Sequence, residues 1–391
     1  MGQEPTHSAS EQRSNFILIE SVSAIALLAA TVLALAWRNS AWGAAYGSFW
    51  QLAAGARPVT LQAFVNEGLM SLFFLTAGLE IRRELHDGAL ARATAAVVPV
   101  AAALGGILVP ALLYLAIAHS APLGRGWAIP TATDIAFAVG ALGLLGRRVP
   151  TAVRVLLLAL AIVDDVVAIL VIALVYSAGV DPTGLLVAAG GVLGVMLFQR
   201  LGVHQAVVYL IPGVIVWAGL WRAGVNPTLA GVALGFMTPL AARRTATTKV
   251  LPPAACAQKT LHPWVAFGVM PLFALANAGV RLDGLALGTR SGALLVTAIA
   301  SALIVGKPVG ILAFTWLATR TRWGTLPRNL TWRGVALAGC FGGIGFTMSI
   351  FIAGLAMNDP ALLATAKFAV LVASLVAGAS GLVLGRFALF R

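Results

Sequence analysis

Asp164 and Asp165 stand side by side in the run LALAIVDDVVAI (Leu158 to Ile169), with only aliphatic residues on either side. Two further charges interrupt equally apolar stretches: Asp134 in IPTATDIAFAV (Ile129 to Val139) and Lys307 in GKPVGI (Gly306 to Ile311). A charge at the centre of a bilayer costs about 2.5 to 3.5 kcal/mol on insertion scales, so such residues indicate function. A closed structural ion-pair cluster would balance its charges. Three carboxylates against one ammonium leave negative charge over, which points to a cation site. Burial favours the neutral form of a carboxylic acid, so a proton and a metal cation compete for the same oxygens. Successive helical residues point about 100° apart, so Asp164 and Asp165 divide their roles. Ala161 and Ala168 keep the surrounding face small enough for neighbouring helices to approach.

These side chains need long apolar helices to hold them. Of the 391 residues, 60% are hydrophobic and only 10% charged, whereas soluble domains carry about a quarter charged residues. Windows of about 20 apolar residues predict about twelve transmembrane helices, near 16–37, 61–81, 94–118, 122–145, 151–176, 183–199, 206–221, 226–240, 262–280, 292–318, 334–357 and 361–385. The expected fold class is therefore an all-α polytopic membrane protein. Basic residues assign the sides. With Lys307 and Lys367 inside spans, one set of loops holds only Arg38, Arg57, Arg125, Arg222, Arg281 and Arg290, and the other set holds the remaining 18 of the 26 Lys and Arg. The positive-inside rule then puts both termini in the cytoplasm. The formal charge of +13 belongs to this topology and not to nucleic acid, because no basic stripe interleaved with aromatics occurs.

Residues 1–391 read as a single membrane transporter domain with a cytoplasmic tail 1–15, an outer loop 38–60 and a cytoplasmic loop 241–261. The loops are too short to bury cores of their own. The first apolar stretch is too long for a signal-peptide core and reads as a retained span. Trp42, Tyr46 and Trp50 in the outer loop read as interfacial anchors. Cys256 and Cys340 provide neither a disulfide framework nor a metal-ligand spacing, and no cofactor is expected.

Two spans look interrupted at the depth of the charges. Pro130 removes a backbone donor and disfavours helix at Ile129, and Thr131 and Thr133 supply hydroxyls for the freed backbone groups just before Asp134. Gly342-Gly343-Ile344-Gly345, followed by Thr347, reads as a flexible break in the span 334–357. The breaks fall in the second span of a three-span group in each half, 94–176 and 292–385. That correspondence points to inverted repeats with two interrupted helices crossing at the midplane. Such helices expose dipole ends there, which Asp134 and Lys307 are suited to compensate.

At these positions the chain resembles the NhaA-type Na⁺/H⁺ antiporters. The stretches that carry the resemblance are FFLTAGLEIRREL (Phe73 to Leu85), IPTATDIAFAV, LALAIVDDVVAI, LHPWVAFGVMPLFALANAGV (Leu261 to Val280), GKPVGI and GGIGFTMSIFIA (Gly342 to Ala353). They run from the second to the eleventh span. The resemblance implies that Asp165 is the principal sodium-binding carboxylate, that Asp164 is its neighbour paired with Lys307, and that Thr133 and Asp134 support the site at the crossing. It also implies that Glu80, Arg83 and Glu84 line the cytoplasmic mouth, and that the protein is a homodimer in the bacterial cytoplasmic (inner) membrane. The two departures are Gln258, where the family often carries a glutamate four residues before His262-Pro263-Trp264, and Asn226, where it often carries a histidine. Neither titrates, which puts pH sensing at those positions in doubt. His262 reads as structural.

The implied activity is exchange of cytoplasmic Na⁺ or Li⁺ for external H⁺, serving sodium and pH homeostasis, and not an enzymatic reaction. The partners expected are Na⁺, H⁺ and the lipid bilayer. Two carboxylates and a lysine able to titrate allow more than one proton per sodium, which makes the cycle electrogenic. An intramembrane aspartyl protease also needs two embedded aspartates, but adjacent residues on one helix diverge, and only Asp134 facing Asp165 could form its dyad. A passive cation channel is a third reading, separated from antiport by whether flux requires a counter-ion gradient.

Overall fold

The computed structural model describes residues 6–54, 59–88, 90–146, 149–177, 179, 181–203, 206–238, 253–327 and 329–388. Helix dominates, as the apolar composition requires of a chain whose backbone groups have no water to bond. In chain order the helices are α1 (Thr6–Arg38), the short α2 (Gly43–Trp50) and α3, which runs from Leu61–Ala63 through a π turn at Phe64–Leu69 into Met70–Asp87. Next come α4 (Ala93–Ala118), a 3₁₀ segment (Leu123–Thr131) leading to α5 (Ile135–Gly143), and α6 (Thr151–Val175). Then follow α7 (Pro182–Arg200), α8 (Leu210–Arg222), α9 (Leu229–Met237) and α10, made of Pro253–Trp264, a π turn at Val265–Val269 and Met270–Asn277. The last are α11 (Arg290–Ser301, a π turn at Ala302–Gly306, and Lys307–Arg320), α12 (Trp332–Gly342), α13 (Phe346–Ala356) and α14 (Pro360–Ala388). Each of the twelve predicted windows contains helix. Among the described residues, six helices are by length and composition able to cross a bilayer, or up to eight if each of two bent pairs is one span.

Side-chain oxygens start several helices by accepting otherwise orphaned backbone N–H groups. Thr60 accepts from Ala63 N at 3.1 Å, Asp181 from Thr183 N at 2.9 Å, Thr289 from Gly292 N at 3.1 Å and Thr331 from Gly334 N at 3.2 Å.

One expectation is corrected, that for the outer-loop aromatics, and the predicted tail and cytoplasmic loop are described only in part. The tail 1–15 is helical from Thr6 onward, and its first five residues lie outside the described residues. Of the loop 241–261, residues up to 252 lie outside the described residues, as do the basic residues Arg243, Arg244 and Lys249; from Pro253 the chain is already α10. Tyr46 and Trp50 are not anchors facing lipid: both are buried, and only Trp42 is exposed. The reason is the fold of α2, which turns back at 115° to α1, held by Arg38 Nη1 donating to Gly43 O at 2.6 Å. Tyr46 then packs edge-on to Trp37 and donates its hydroxyl to Leu275 O at 2.6 Å. The otherwise helical chain also pairs Ala53 with Thr60 and Ala54 with Val59 in a two-residue antiparallel ladder.

Small residues let backbones touch where the interior is tightest. A Cβ added to Gly105 of α4 would lie 2.1 Å from Gly310 O of α11, and one added to Gly310 would lie 2.1 Å from Gly105 O. Glycine at Gly231 and Gly235 serves α9 against α3 in the same way. Elsewhere the contact is aromatic: Phe351 of α13 lies 5.7 Å from the Phe74 ring of α3 and 6.1 Å from the Phe273 ring of α10.

Gly310→Ala is expected to destabilise the protein by about 1 to 3 kcal/mol through overpacking. Gly354→Ala, at a helix position with nothing within 4 Å of the added Cβ, is expected to leave the melting temperature unchanged or raise it. Equal melting of the two variants in detergent would refute the α4–α11 contact.

Candidate functional site

The two chain interruptions meet. Between the 3₁₀ segment and α5 the backbone is non-helical at Ala132, Thr133 and Asp134, and between α12 and α13 a 46° bend falls at the Gly343 to Gly345 break. Asp134 N–H donates across the gap to Ile344 O at 2.7 Å. Breaking a helix in an apolar interior strands N–H groups at one new end and C=O groups at the other, and all of them require partners.

Asp134 answers two of the positive ends at once. Its Oδ1 accepts from Phe137 N at 3.0 Å, capping α5, and its Oδ2 accepts from Thr347 N at 3.1 Å, at the start of α13. The Thr347 hydroxyl donates to the same Oδ2, and Phe346 N donates to Ser374 Oγ of α14 at 3.1 Å. A carboxylate at two helix N-termini is favoured both by the hydrogen bonds and by the helix dipoles.

The negative ends are answered by a cation and hydroxyls. Lys307 Nζ donates to Thr131 O at 2.5 Å, at the end of the 3₁₀ segment. Ser349 Oγ donates to Ile129 O at 2.6 Å and Thr131 Oγ1 to Ala128 O at 2.8 Å. Thr133 Oγ1 lies 3.0 Å from Gly342 O and 2.6 Å from Asp164 Oδ2, and its single proton serves one of them at a time.

Lys307 also lies 3.0 Å from Asp164 Oδ2, with both side chains fully buried. The π turn Ala302–Gly306 ends immediately before this lysine, and π turns are common where a side chain must be aimed at a functional site. Asp164 Oδ2 is thus occupied by an ammonium and a hydroxyl. Asp165, 3% exposed, is different: its Oδ1 is buried without any hydrogen-bond partner, as is Asp164 Oδ1. Asp165 also lies in the electrostatic field of Asp164, Glu80 and Asp134. Two orphaned carboxylate oxygens on adjacent residues, in a cluster where one ammonium, Lys307, faces several carboxylates, are an unfilled demand for positive charge.

All five deep residues proposed from sequence, Asp134, Thr133, Asp164, Asp165 and Lys307, are therefore brought together. The three proposed at the cytoplasmic mouth are not part of that cluster. Glu80 is half-buried on α3 and its field reaches Asp165. Arg83 is exposed and donates from Nη1 to Gln258 Oε1 at 3.1 Å. The Glu84 carboxylate lies over Gly88, where an added Cβ would meet Oε2 at 2.2 Å, so it is folded against its own helix end. Asn226 makes a local turn, accepting from Thr228 N at 3.0 Å and Thr228 Oγ1 at 2.6 Å just before α9. Sequence reasoning missed Ser349 and Ser374 and gave Thr347 no side-chain role. The available signal was that each hydroxyl lies on a span flanking a break.

Comparison with known proteins gives one consistent result. The family described as Na⁺/H⁺ antiporter 1 matches residues 14–384. A Na⁺/H⁺ antiporter NhaA of Acidovorax sp. is 52% identical, covering 94% of this chain and 89% of the relative. A Na⁺/H⁺ antiporter NhaA 2 of Pseudomonas putida is 46% identical, covering 96% and 92%. Among solved structures, the sodium proton antiporter MjNhaP1 of Methanocaldococcus jannaschii superposes with a TM-score of 0.57 over 97% of this chain and 99% of that one. At 11% identity this last likeness concerns the fold alone.

The buried pair generates a stability prediction. Lys307→Ala, which orphans Asp164, is expected to cost about 3 to 5 kcal/mol. Adding Asp164→Asn should recover part of that loss, with a coupling of about 0.5 to 3 kcal/mol in a double-mutant cycle on thermal unfolding. Strict additivity would mean that the two side chains do not interact.

Proposed function

The chain belongs to the Na⁺/H⁺ antiporter 1 family and is a multi-pass membrane protein that exchanges sodium for protons; from that premise we propose that Asp165 is the carboxylate for which the two ions compete. The observation that carries this reading is that Asp165 and its chain neighbour Asp164 each keep a buried Oδ1 with no hydrogen-bond partner. Every other carboxylate oxygen named at the break already accepts from a fixed donor. Sodium needs several oxygen ligands. Asp165, Asp164 Oδ1 and water supply them, and a proton on Asp165 removes the charge that holds the ion. Occupancy by one therefore excludes the other, and that exclusion couples the two fluxes.

Lys307 pairs with Asp164 Oδ2 while it satisfies Thr131 O. Asp134 and Thr133 are positioning residues that keep the half-helix ends in place. Movement of the helices around the break then exposes the site to one side at a time, taking Na⁺ or Li⁺ from the cytoplasm and H⁺ from outside. With Lys307 and two aspartates available, more than one proton moves per sodium and the membrane potential drives the cycle.

This mechanism goes with twelve spans forming a single transporter domain, both termini in the cytoplasm and residence in the bacterial inner membrane as a homodimer. It also goes with inverted repeats, supported by the match between α4 to α6 and α11 to α14, each with its middle span interrupted. Glu80, with its field at Asp165, belongs to the cytoplasmic approach, and Arg83 and Glu84 flank it. An aspartyl protease dyad is disfavoured because both Asp134 oxygens are committed to helix N-termini and cannot share a proton with Asp165. A passive channel is disfavoured by the family membership.

Asp165→Asn should abolish sodium-induced collapse of a pH gradient in everted vesicles while the protein still inserts; surviving exchange would sink the assignment. Because the side chains of Gln258 and Asn226 cannot titrate, pH dependence should reside at the site. Apparent sodium affinity should then rise with pH at an unchanged maximal rate. A maximal rate that switches sharply with pH at saturating sodium would require a separate sensor.

A further inference from the structure

Helices α7 and α8 pack backbone to backbone. A Cβ on Gly184 would meet Ala223 N at 2.3 Å, and one on Gly219 would meet Ala188 N at 2.3 Å. Beside this seam the larger side chains stand apart and leave a groove of about 380 Å³ lined by Val187, Ala218, Trp221 and Arg222. Its volume falls within the range of about 300 to 1,000 Å³ seen for small-molecule sites. Val187 is 42% exposed and Trp221 41%, so the walls are apolar and open outward.

A pair of opposite charges sits at one end. Arg222 Nε donates to Thr183 Oγ1 at 3.2 Å and lies 3.8 Å from Asp181 Oδ2, with side chains 65% and 43% exposed. Asp181 is held below the usual carboxylate range, first by the Thr183 hydroxyl and backbone N–H and then by Arg222, so it is ionised at neutral pH. A pair this exposed contributes little to stability, which leaves both charges available to a ligand. Tryptophan and arginine at the end of an apolar helix mark the headgroup level of a membrane.

We propose that this groove binds one phospholipid with a primary-ammonium headgroup, of the phosphatidylethanolamine class. One acyl chain lies along Val187, Ala218 and Trp221, the phosphate meets the Arg222 guanidinium, and the ammonium meets the Asp181 carboxylate. The dipolar pair matches the dipolar headgroup in sign and order. A quaternary choline has no N–H to donate to Asp181, and a glycerol headgroup has no positive charge. The groove shares no residue with the exchange site.

The test is native mass spectrometry of the full-length protein loaded from vesicles of phosphatidylethanolamine, phosphatidylcholine or phosphatidylglycerol with identical chains. The unaltered protein should retain one phosphatidylethanolamine roughly tenfold more strongly than the other two, the scale of one charge-assisted hydrogen bond. Asp181→Asn keeps the helix cap, since asparagine caps as well as aspartate, and should erase the headgroup preference. Arg222→Gln should weaken retention of all three lipids alike, since each carries the phosphate. Equal retention of all three lipids, or unchanged retention in both variants, would overturn the proposal. So would a change of oligomeric state in the variants with lipid retention intact, which would assign the groove to a second copy of the chain.

Discussion

The structure depends on one constraint: two helices are cut in an interior that offers the cut ends no water. Each cut exposes N–H groups on one side and carbonyls on the other, and the chain satisfies them from the opposite break and from neighbouring spans. Asp134 joins the N-terminal ends of α5 and α13, so neither half-helix can be placed without the other. Lys307 closes the carbonyl end of the 3₁₀ segment. Once those ends are satisfied, Asp165 keeps a buried oxygen that no donor of the fold meets. The binding capacity proposed for it is then a remainder of the structural solution.

Lys307 links the two halves of that solution. It answers a backbone carbonyl and a carboxylate together, which is why it sits at the end of a π turn, where the extra residue re-aims it. Its bond to Asp164 leaves that residue with one occupied and one orphaned oxygen. Asp164 is thereby half occupied, whereas no hydrogen bond of the fold is given to Asp165 Oδ1. The divergence of adjacent helical residues gives two chemically identical side chains two different surroundings.

Much of this was legible in the sequence because it consists of violations of an apolar pattern. Asp164, Asp165, Asp134 and Lys307 stand out against aliphatic neighbours, and Pro130 and the Gly342 to Gly345 run announce the breaks. Features without compositional contrast were not legible. Ser349 and Ser374 look like any helical serine, and only the bonds to Ile129 O and Phe346 N distinguish them. The 3₁₀ character of Leu123–Thr131 and the π turns have no residue signature. Tyr46 and Trp50 misled for the opposite reason: aromatics in an outer loop suit a membrane surface as well as they suit burial, and the turn of α2 against α1 decided between the two.

The glycine contact between α4 and α11 has a mechanical side. Backbones that meet with no side chain between them have almost no compliance, so a force applied to either helix reaches the other undiminished, as through a rivet. Each of these helices opens one of the two broken groups, and riveting them makes the groups a single stiff block. The contact of Phe351 with Phe74 and Phe273 is of another kind, since tilted rings at 54° and 59° meet through side chains that have rotamers of their own. A load that parts α13 from α3 and α10 is therefore met by side chains that can yield, and one that parts α4 from α11 by backbone that cannot.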